Sequence, residues 1–154
     1  MPEIEIRPVT NADLAKIMEL DHDYVSDHVW QMSVQKDVGA SPSDVQVSVI
    51  FHQLQLPRSV HVAYPRPTRN LAGGLNQQTG LLAAVLAGEM VGYIRLRTDI
   101  APVTTWATDL AVTRRYRRQG IGSGLVLAGQ EWGRQQGSYR MTLEMQPKNY
   151  PAIC

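Results

Sequence analysis

A chain of 154 residues with 44% apolar side chains can bury roughly two-thirds of its unfolded surface in one core, without disulfides or metals. Its only cysteine is Cys154, which excludes an intrachain disulfide and fits a cytoplasmic protein. Lys and Arg number 15 against 14 Asp and Glu, a net charge of +1, which argues against a polyanion-binding surface and so against nucleic acid as a partner.

The opening MPEIEIRPV lacks the basic-then-apolar order of a signal peptide, and no window reaches the ~20 apolar residues of a membrane span. No membrane partner is expected. Glu3 to Val9 alternates, with Ile4 and Ile6 on one face, as in a half-buried strand. Thr10 then stands as an N-cap with Asp13 three residues on, and Leu14, Ile17 and Met18 follow at helical spacing, which predicts a short amphipathic helix. Across Asp21 to Lys36 the side chains Tyr24, Val25, His28, Val29 and Met32 share a helical stripe, and a second helix is expected. Val45, Val47, Val49 and Phe51 alternate after turn chemistry at 41–44, so a strand runs from there until Pro57 stops the ladder, with another at Ser59 to Ala63.

Residues 64–80 hold two prolines and Gly73-Gly74 and read as a long surface loop inside one domain spanning 1–154. Leu81 to Ala87, a Gly88-Glu89 turn and Val91 to Arg97 read as a hairpin. Trp106 to Val112 supplies the next strand. From Ile121 the residues Leu125, Ala128 and Trp132 fall at helical spacing up to Gly137, a natural end for a helix of about four turns. Arg140 to Met145 alternates as a final strand.

The chemistry concentrates between Asp109 and Leu125. A strand ends at Val112, a basic turn follows, and Gly120, Gly122 and Gly124 open a helix. Unpaired backbone N–H groups beside a positive helix end make an anion site. Glycines allow the close backbone approach that a pyrophosphate needs, and Arg114, Arg115, Arg117 and Arg118 can add charge-assisted bonds. A P-loop would need Gly-Lys-Ser/Thr, which is absent, and a dinucleotide fingerprint would need Gly-x-Gly-x-x-Gly after a first strand, whereas this strand comes late. The competing reading is an ordinary flexible loop with a solvated basic run.

Leu110-Ala-Val112 followed by Arg117-Arg-Gln-Gly-Ile-Gly122 resembles the Arg/Gln-x-x-Gly-x-Gly/Ala signature of the GNAT N-acetyltransferases, nearest in this stretch to streptothricin-acetyltransferase-like members. Leu143-Glu144 with Asn149 and Ala152-Ile153 is similar to the family's fifth strand and following helix, and the likeness covers residues 1–20 and 81–154. It implies an α/β fold: a mixed, mostly antiparallel twisted sheet with helices on both faces, splayed between its fourth and fifth strands. It also implies an acyl-CoA N-acyltransferase, with acetyl-CoA as co-substrate, no metal, and an acceptor that is a primary amine of a small molecule or protein terminus attacking directly in a ternary complex. The alternative from another class is a coenzyme-A-binding sensor or interaction module.

For the cofactor the resemblance points to the backbone of Leu110, Ala111 and Val112, to Arg117, Arg118, Gln119, Gly120, Ile121, Gly122, Ser123 and Gly124 in the turn, and to Asn149. Asn149 reads equally as a helix cap. Glu144 is the preferred general base, since it lies on the strand lining the gap and resembles the glutamate that ribosomal-protein alanine acetyltransferases place five residues before the asparagine, and Asp109 is the second. Asp21, His22, Asp23, Asp27 and His28 lack the spacing of a metal site and read as a solvated helix face, or as an acidic lip for a cationic amine with Trp30 and Trp106 as walls. Tyr116 among arginines also permits a nucleic-acid patch, which one short basic run on a near-neutral protein disfavours. In the resembled family the helix near 149 continues, carries a proton-donating tyrosine and leads to two more strands. Ending at Cys154, this chain is expected to be truncated within that helix, with an open strand edge and apolar surface favouring self-association as a homodimer.

Overall fold

The computed structural model describes residues 3–41, 43–64, 78–146 and 149. Its elements are β1 (Ile4–Pro8), α1 (Asn11–Glu19), β2 (Tyr24–Val38), β3 (Val45–Val62), β4 (Thr79–Leu86), β5 (Glu89–Arg97), β6 (Thr104–Val112), a 3₁₀ turn (Arg114–Tyr116), α2 (Ile121–Gln135) and β7 (Arg140–Leu143). The chain divides into two compact units, one formed by Met1–His22 with Tyr64–Glu144 and the other by Asp23–Ala63 with Met145–Cys154. The loop expected at 64–80 and the helix expected to open at Asn149 fall mostly outside the described residues.

In the first unit five strands form one sheet in the order β1-β4-β5-β6-β7. Every pairing is antiparallel except β6 with β7, which is parallel. This is the mixed, mostly antiparallel α/β sheet that the resemblance implied. Alternation divides its core between two faces. Leu81, Ala83, Val85 and Tyr93 pack with Ile17 of α1 on one side, while Leu82, Ala84, Ile94 and Leu96 pack with Ile121 and Leu125 of α2 on the other. Ile17 and Leu125 are fully buried, each stabilising by roughly 2 kcal/mol on area grounds.

Local signals account for the ends of these elements. The capping box at the start of α1 forms: the Thr10 N–H and hydroxyl both donate to Asp13 Oδ2, at 2.8 Å each. Met18, expected on the buried stripe, is instead exposed. Gly137, at φ +85, terminates α2, its N–H bonded to the Arg134 carbonyl at 3.0 Å. The β4–β5 turn lies at Ala87-Gly88, one residue earlier than expected, with positive φ at both positions (50° and 82°), as a primed hairpin turn requires.

The second unit corrects two expectations. Tyr24–Val38 is a 15-residue strand, not a helix. From Trp30 onward the residues Trp30, Met32, Val34 and Val38 also satisfy a period of two, and pairing with the alternating β3 decides between the readings. Nor does Pro57 end β3, which runs unbroken to Val62. The register shifts there: Ser26 faces Val60 and His28 faces Gln55. Pro57 thus sits in an irregular stretch where its missing N–H is tolerated.

Candidate active site

The fork between β6 and β7 is set by register. Their parallel pairing runs from Thr104↔Arg140 to Ala107↔Leu143, and the Glu144 N–H adds a last bond to the Ala107 carbonyl at 3.3 Å. Among the described residues β7 goes no further, so the same side of β6 is left open beyond Ala107. On its other side β6 pairs with β5 up to Gly92↔Val112, and the Thr113 N–H donates to the Val91 carbonyl at 2.7 Å. That bond fixes the phase of the ladder. Ala111 and Asp109 turn their backbone groups toward β5, while Leu110 and Val112 turn theirs toward the fork. On that open side the Val112 carbonyl already accepts from Arg117 Nε. The backbone of Ala111 belongs to the β5 ladder and its side chain to the core.

A bulge places the carboxylate. Leu96 pairs with Ala107 and Arg95 with Asp109, so Thr108 is the extra residue. One added residue reverses the side-chain parity of a strand. Ala107 packs on the α2 face and Ala111 on the α1 face. Asp109, 5% exposed, shares the α1 side. It accepts hydrogen bonds from the Tyr64 hydroxyl at Oδ1 and from the Thr108 hydroxyl at Oδ2, the latter at 2.9 Å. Beside Tyr64 stands His22, ring centroids 4.8 Å apart, with its Nε2 2.7 Å from the hydroxyl of buried Tyr93. Tyr64 and Tyr93 escaped the sequence reading. Tyr93 shows only as an apolar position in a strand, and Tyr64 opens a loop with no motif.

Glu144 follows the last residue of β7 and is exposed. Asn149 is grouped with the second unit, and its N–H donates to the Gln146 carbonyl at 2.8 Å. The partners of the Asp21 to His28 run differ from residue to residue. The Asp21 carbonyl accepts from Arg117, His22 joins the tyrosines, Asp27 pairs with neighbouring His28 at 2.7 Å, and Asp23 lies 3.4 Å from His61. Trp30 and Trp106 are half-buried and belong to different units.

The glycine turn opens α2 as expected. Gly120 is the N-cap at φ 84, a conformation that favours glycine, and Arg118 precedes it at φ 64. The first intrahelical bond joins the Gly124 N–H to the Gly120 carbonyl at 2.9 Å. Ile121, Gly122 and Ser123 thus present N–H groups that helix geometry leaves without an intrahelical acceptor. Gly124 is not among these donors, and a Cβ there would lie 3.2 Å from Ile6 Cδ1. It packs between α2 and β1. A Cβ on Gly122 would meet only Val112 Cγ2, at 4.0 Å, so this glycine faces open space.

The arginines divide as well. Arg117 donates from Nε to the Val112 carbonyl at 2.7 Å and from Nη2 to the Asp21 carbonyl at 2.9 Å. It clamps the turn to two other segments. The Gln119 amide donates to the Arg115 carbonyl at 3.3 Å. Arg114, Arg115 and Arg118 are exposed around the turn, with Arg115 over the Tyr116 ring at 5.3 Å. A cavity of about 440 Å³ lies elsewhere, between the second half of α2 and the start of β7, lined in part by Leu127, Arg134 and Tyr139.

Comparison with known proteins bears on this geometry. Residues 50–153, more than half of the chain, match the Acetyltransferase (GNAT) family. Among solved structures, a nourseothricin acetyltransferase superposes with a TM-score of 0.76 at 18% identity, over 97% of this chain and 78% of that one. A protein assigned as a streptothricin acetyltransferase from Bacillus anthracis strain Ames, in complex with acetyl coenzyme A, gives 0.74 at 19% identity over 98% and 80%. The ribosomal-protein-S18-alanine N-acetyltransferase of Escherichia coli gives 0.64 at 14% identity over 98% and 72%. At such identities the likeness is one of fold. No curated protein sequence matches the chain. Among the described residues no helix is long and apolar enough to cross a membrane. The family match and the shared fold agree with the open edge of β6 and the glycine-opened helix that follows it: the chain belongs to the GNAT acetyltransferase family.

Proposed function

We propose that this protein moves an acetyl group from acetyl-CoA to a primary amine of a small molecule or protein terminus, by direct attack within a ternary complex. The observation that carries this reading is the continuity of two donor sets along one stretch of chain. Leu110 and Val112 turn backbone groups toward the fork, and further along the same stretch Ile121, Gly122 and Ser123 offer N–H groups at a helix start. The first set would hold an amide-bearing arm as a strand holds its neighbour. The second would hold the pyrophosphate, with room beside Gly122 for close approach and Arg118 at hand for further charge. Acetyl-CoA, when bound, would supply an activated thioester carbonyl, whose C–S bond breaks as the amine's C–N bond forms, coenzyme A leaving as its thiol after taking up one proton.

The remaining work falls to carboxylates. An amine attacks only when unprotonated, so a base must take its proton. We assign this to Glu144, which lies at the point where β6 and β7 part and is open to solvent. Asp109 is the second candidate. Both its oxygens already accept hydroxyl bonds, and it is buried where Glu144 is exposed. Turnover measured as free thiol against a panel of amines, alongside calorimetric titration with coenzyme A, tests the proposal. Thiol release with at least one amine is expected. Binding without turnover would favour a coenzyme-A sensor, and absence of binding would defeat the assignment.

A further inference from the structure

The β2–β3 ribbon of the second unit carries an apolar face that nothing in the proposed reaction uses. Residues directly opposite in an antiparallel pair share a face. Val38↔Val45, Lys36↔Val47, Val34↔Val49, Met32↔Phe51 and Trp30↔Gln53 therefore lie on one side, and Asp37↔Gln46, Gln35↔Ser48, Ser33↔Ile50, Gln31↔His52 and Val29↔Leu54 on the other. The first side is a nearly continuous apolar stripe with Lys36 as its one charge. The second is mostly polar, with His52 Nε2 3.0 Å from the Ser33 hydroxyl. On the apolar side Met32 is 58% exposed, Val34 56%, Val47 60% and Phe51 61%. A two-stranded ribbon is marginal in water unless one face is packed against something.

We infer that this face is a dimer interface, packed against the same face of a second copy of the chain. Seven exposed side chains (Met32, Val34, Val38, Val45, Val47, Val49 and Phe51) leave on the order of 600 Å² per copy, close to the ~800 Å² per partner of a stable interface. A single-sign charged partner finds no complement there, since Lys36 stands alone. A second copy presents the same apolar stripe, and a two-fold axis brings like against like. Two ribbons stacked this way form a small two-layer sandwich with both polar faces outward. Contiguous exposed apolar patches beyond a few hundred Å² mark interaction sites.

Sedimentation velocity of the full chain over ~1–100 µM tests the inference. A species of twice the 17.2 kDa chain mass is expected, and Val34→Glu should raise its dissociation constant by 100-fold or more. Ser33→Glu, on the polar face, should leave association unchanged. Loss of association through misfolding is separated by mixing Val34→Glu with Val34→Lys, which should restore dimers that neither variant forms alone. A wild-type monomer at every concentration would overturn the inference. So would a dimer indifferent to Val34→Glu, or a mixture that fails to recover.

Discussion

Arg117 donates from Nε to the carbonyl of Val112 across 2.7 Å, so the last fork-facing acceptor of β6 is closed by the first residue of the glycine turn. The second guanidinium bond, to the Asp21 carbonyl at 2.9 Å, ties both to the segment that follows α1. Only a planar, forked cation spans two carbonyls in this way. We expect Arg117→Lys to lower affinity for coenzyme A about tenfold and to lose roughly 1–2 kcal/mol of stability, as for two charge-assisted bonds partly replaced. Titration calorimetry with thermal unfolding reads both. An affinity loss with unchanged unfolding would return Arg117 to the role of direct phosphate ligand.

The glycines of the turn should separate by phenotype. Gly122 faces open space, so Gly122→Val should leave folding intact while reducing coenzyme A affinity by 100-fold or more, because a branched side chain bars approach to the helix N–H groups. Gly124 faces Ile6 Cδ1 at 3.2 Å, and Gly124→Val should cost roughly 1–3 kcal/mol by overpacking, with affinity less affected. The reverse pattern would invalidate the proposed orientation of the turn.

Two carboxylates compete for the base. Glu144→Gln is expected to lower kcat by about 10²-fold at neutral pH with cofactor affinity nearly intact. Asp109→Asn should act differently, since it disturbs the buried bonds with Tyr64 and Thr108. Its signature is loss of thermal stability, shared in part by Tyr64→Phe. An unchanged pH-rate profile in Glu144→Gln together with a displaced one in Asp109→Asn would transfer the role to Asp109.

Acid sensitivity should trace in part to Asp13. The Arg7 guanidinium, bonded at 2.7 and 3.2 Å, holds the Asp13 carboxyl well below the usual carboxylate range, assisted by the Thr10 N–H and hydroxyl and opposed by burial. A carboxyl depressed in the folded state stabilises the protein above its unfolded value near ~4, and that contribution is lost as pH falls toward the folded value. Asp13→Asn should therefore destabilise by roughly 1–2 kcal/mol at pH 7, in the range of a lost helix cap, and the gap to wild type should close below ~pH 4. A gap constant from pH 7 to 3 in thermal unfolding would refute this.

Much was legible in the sequence because its causes are local. The alternation of Ile4 and Ile6, the Thr10–Asp13 box, the helix from Ile121 to Gly137 and the glycine turn each depend on residues within one or two turns of chain. Their geometry follows from hydrogen bonds and periodicity that a short window contains. Tyr24 to Val38 was ambiguous because its apolar residues fit both periods, and only the pairing with β3 resolved it. The parity of β6 hung on a bulge at Thr108 that no local signal announces. Beyond the neighbouring Thr108 hydroxyl, the polar contacts of this unit came from afar: Tyr64 is separated from Asp109 by 45 positions, Tyr93 from His22 by 71, and Arg117 from Asp21 by 96. Such contacts are chosen by how sheet and helices stack, since a buried hydroxyl, guanidinium or carboxylate must find a partner among whatever the packing brings near. The sequence by itself determined which groups were present and where the glycine turn would open a helix. Tertiary structure alone decided which arginine became a clamp, which glycine a packing contact, and which carboxylate was held by hydroxyls while the other stayed open to water.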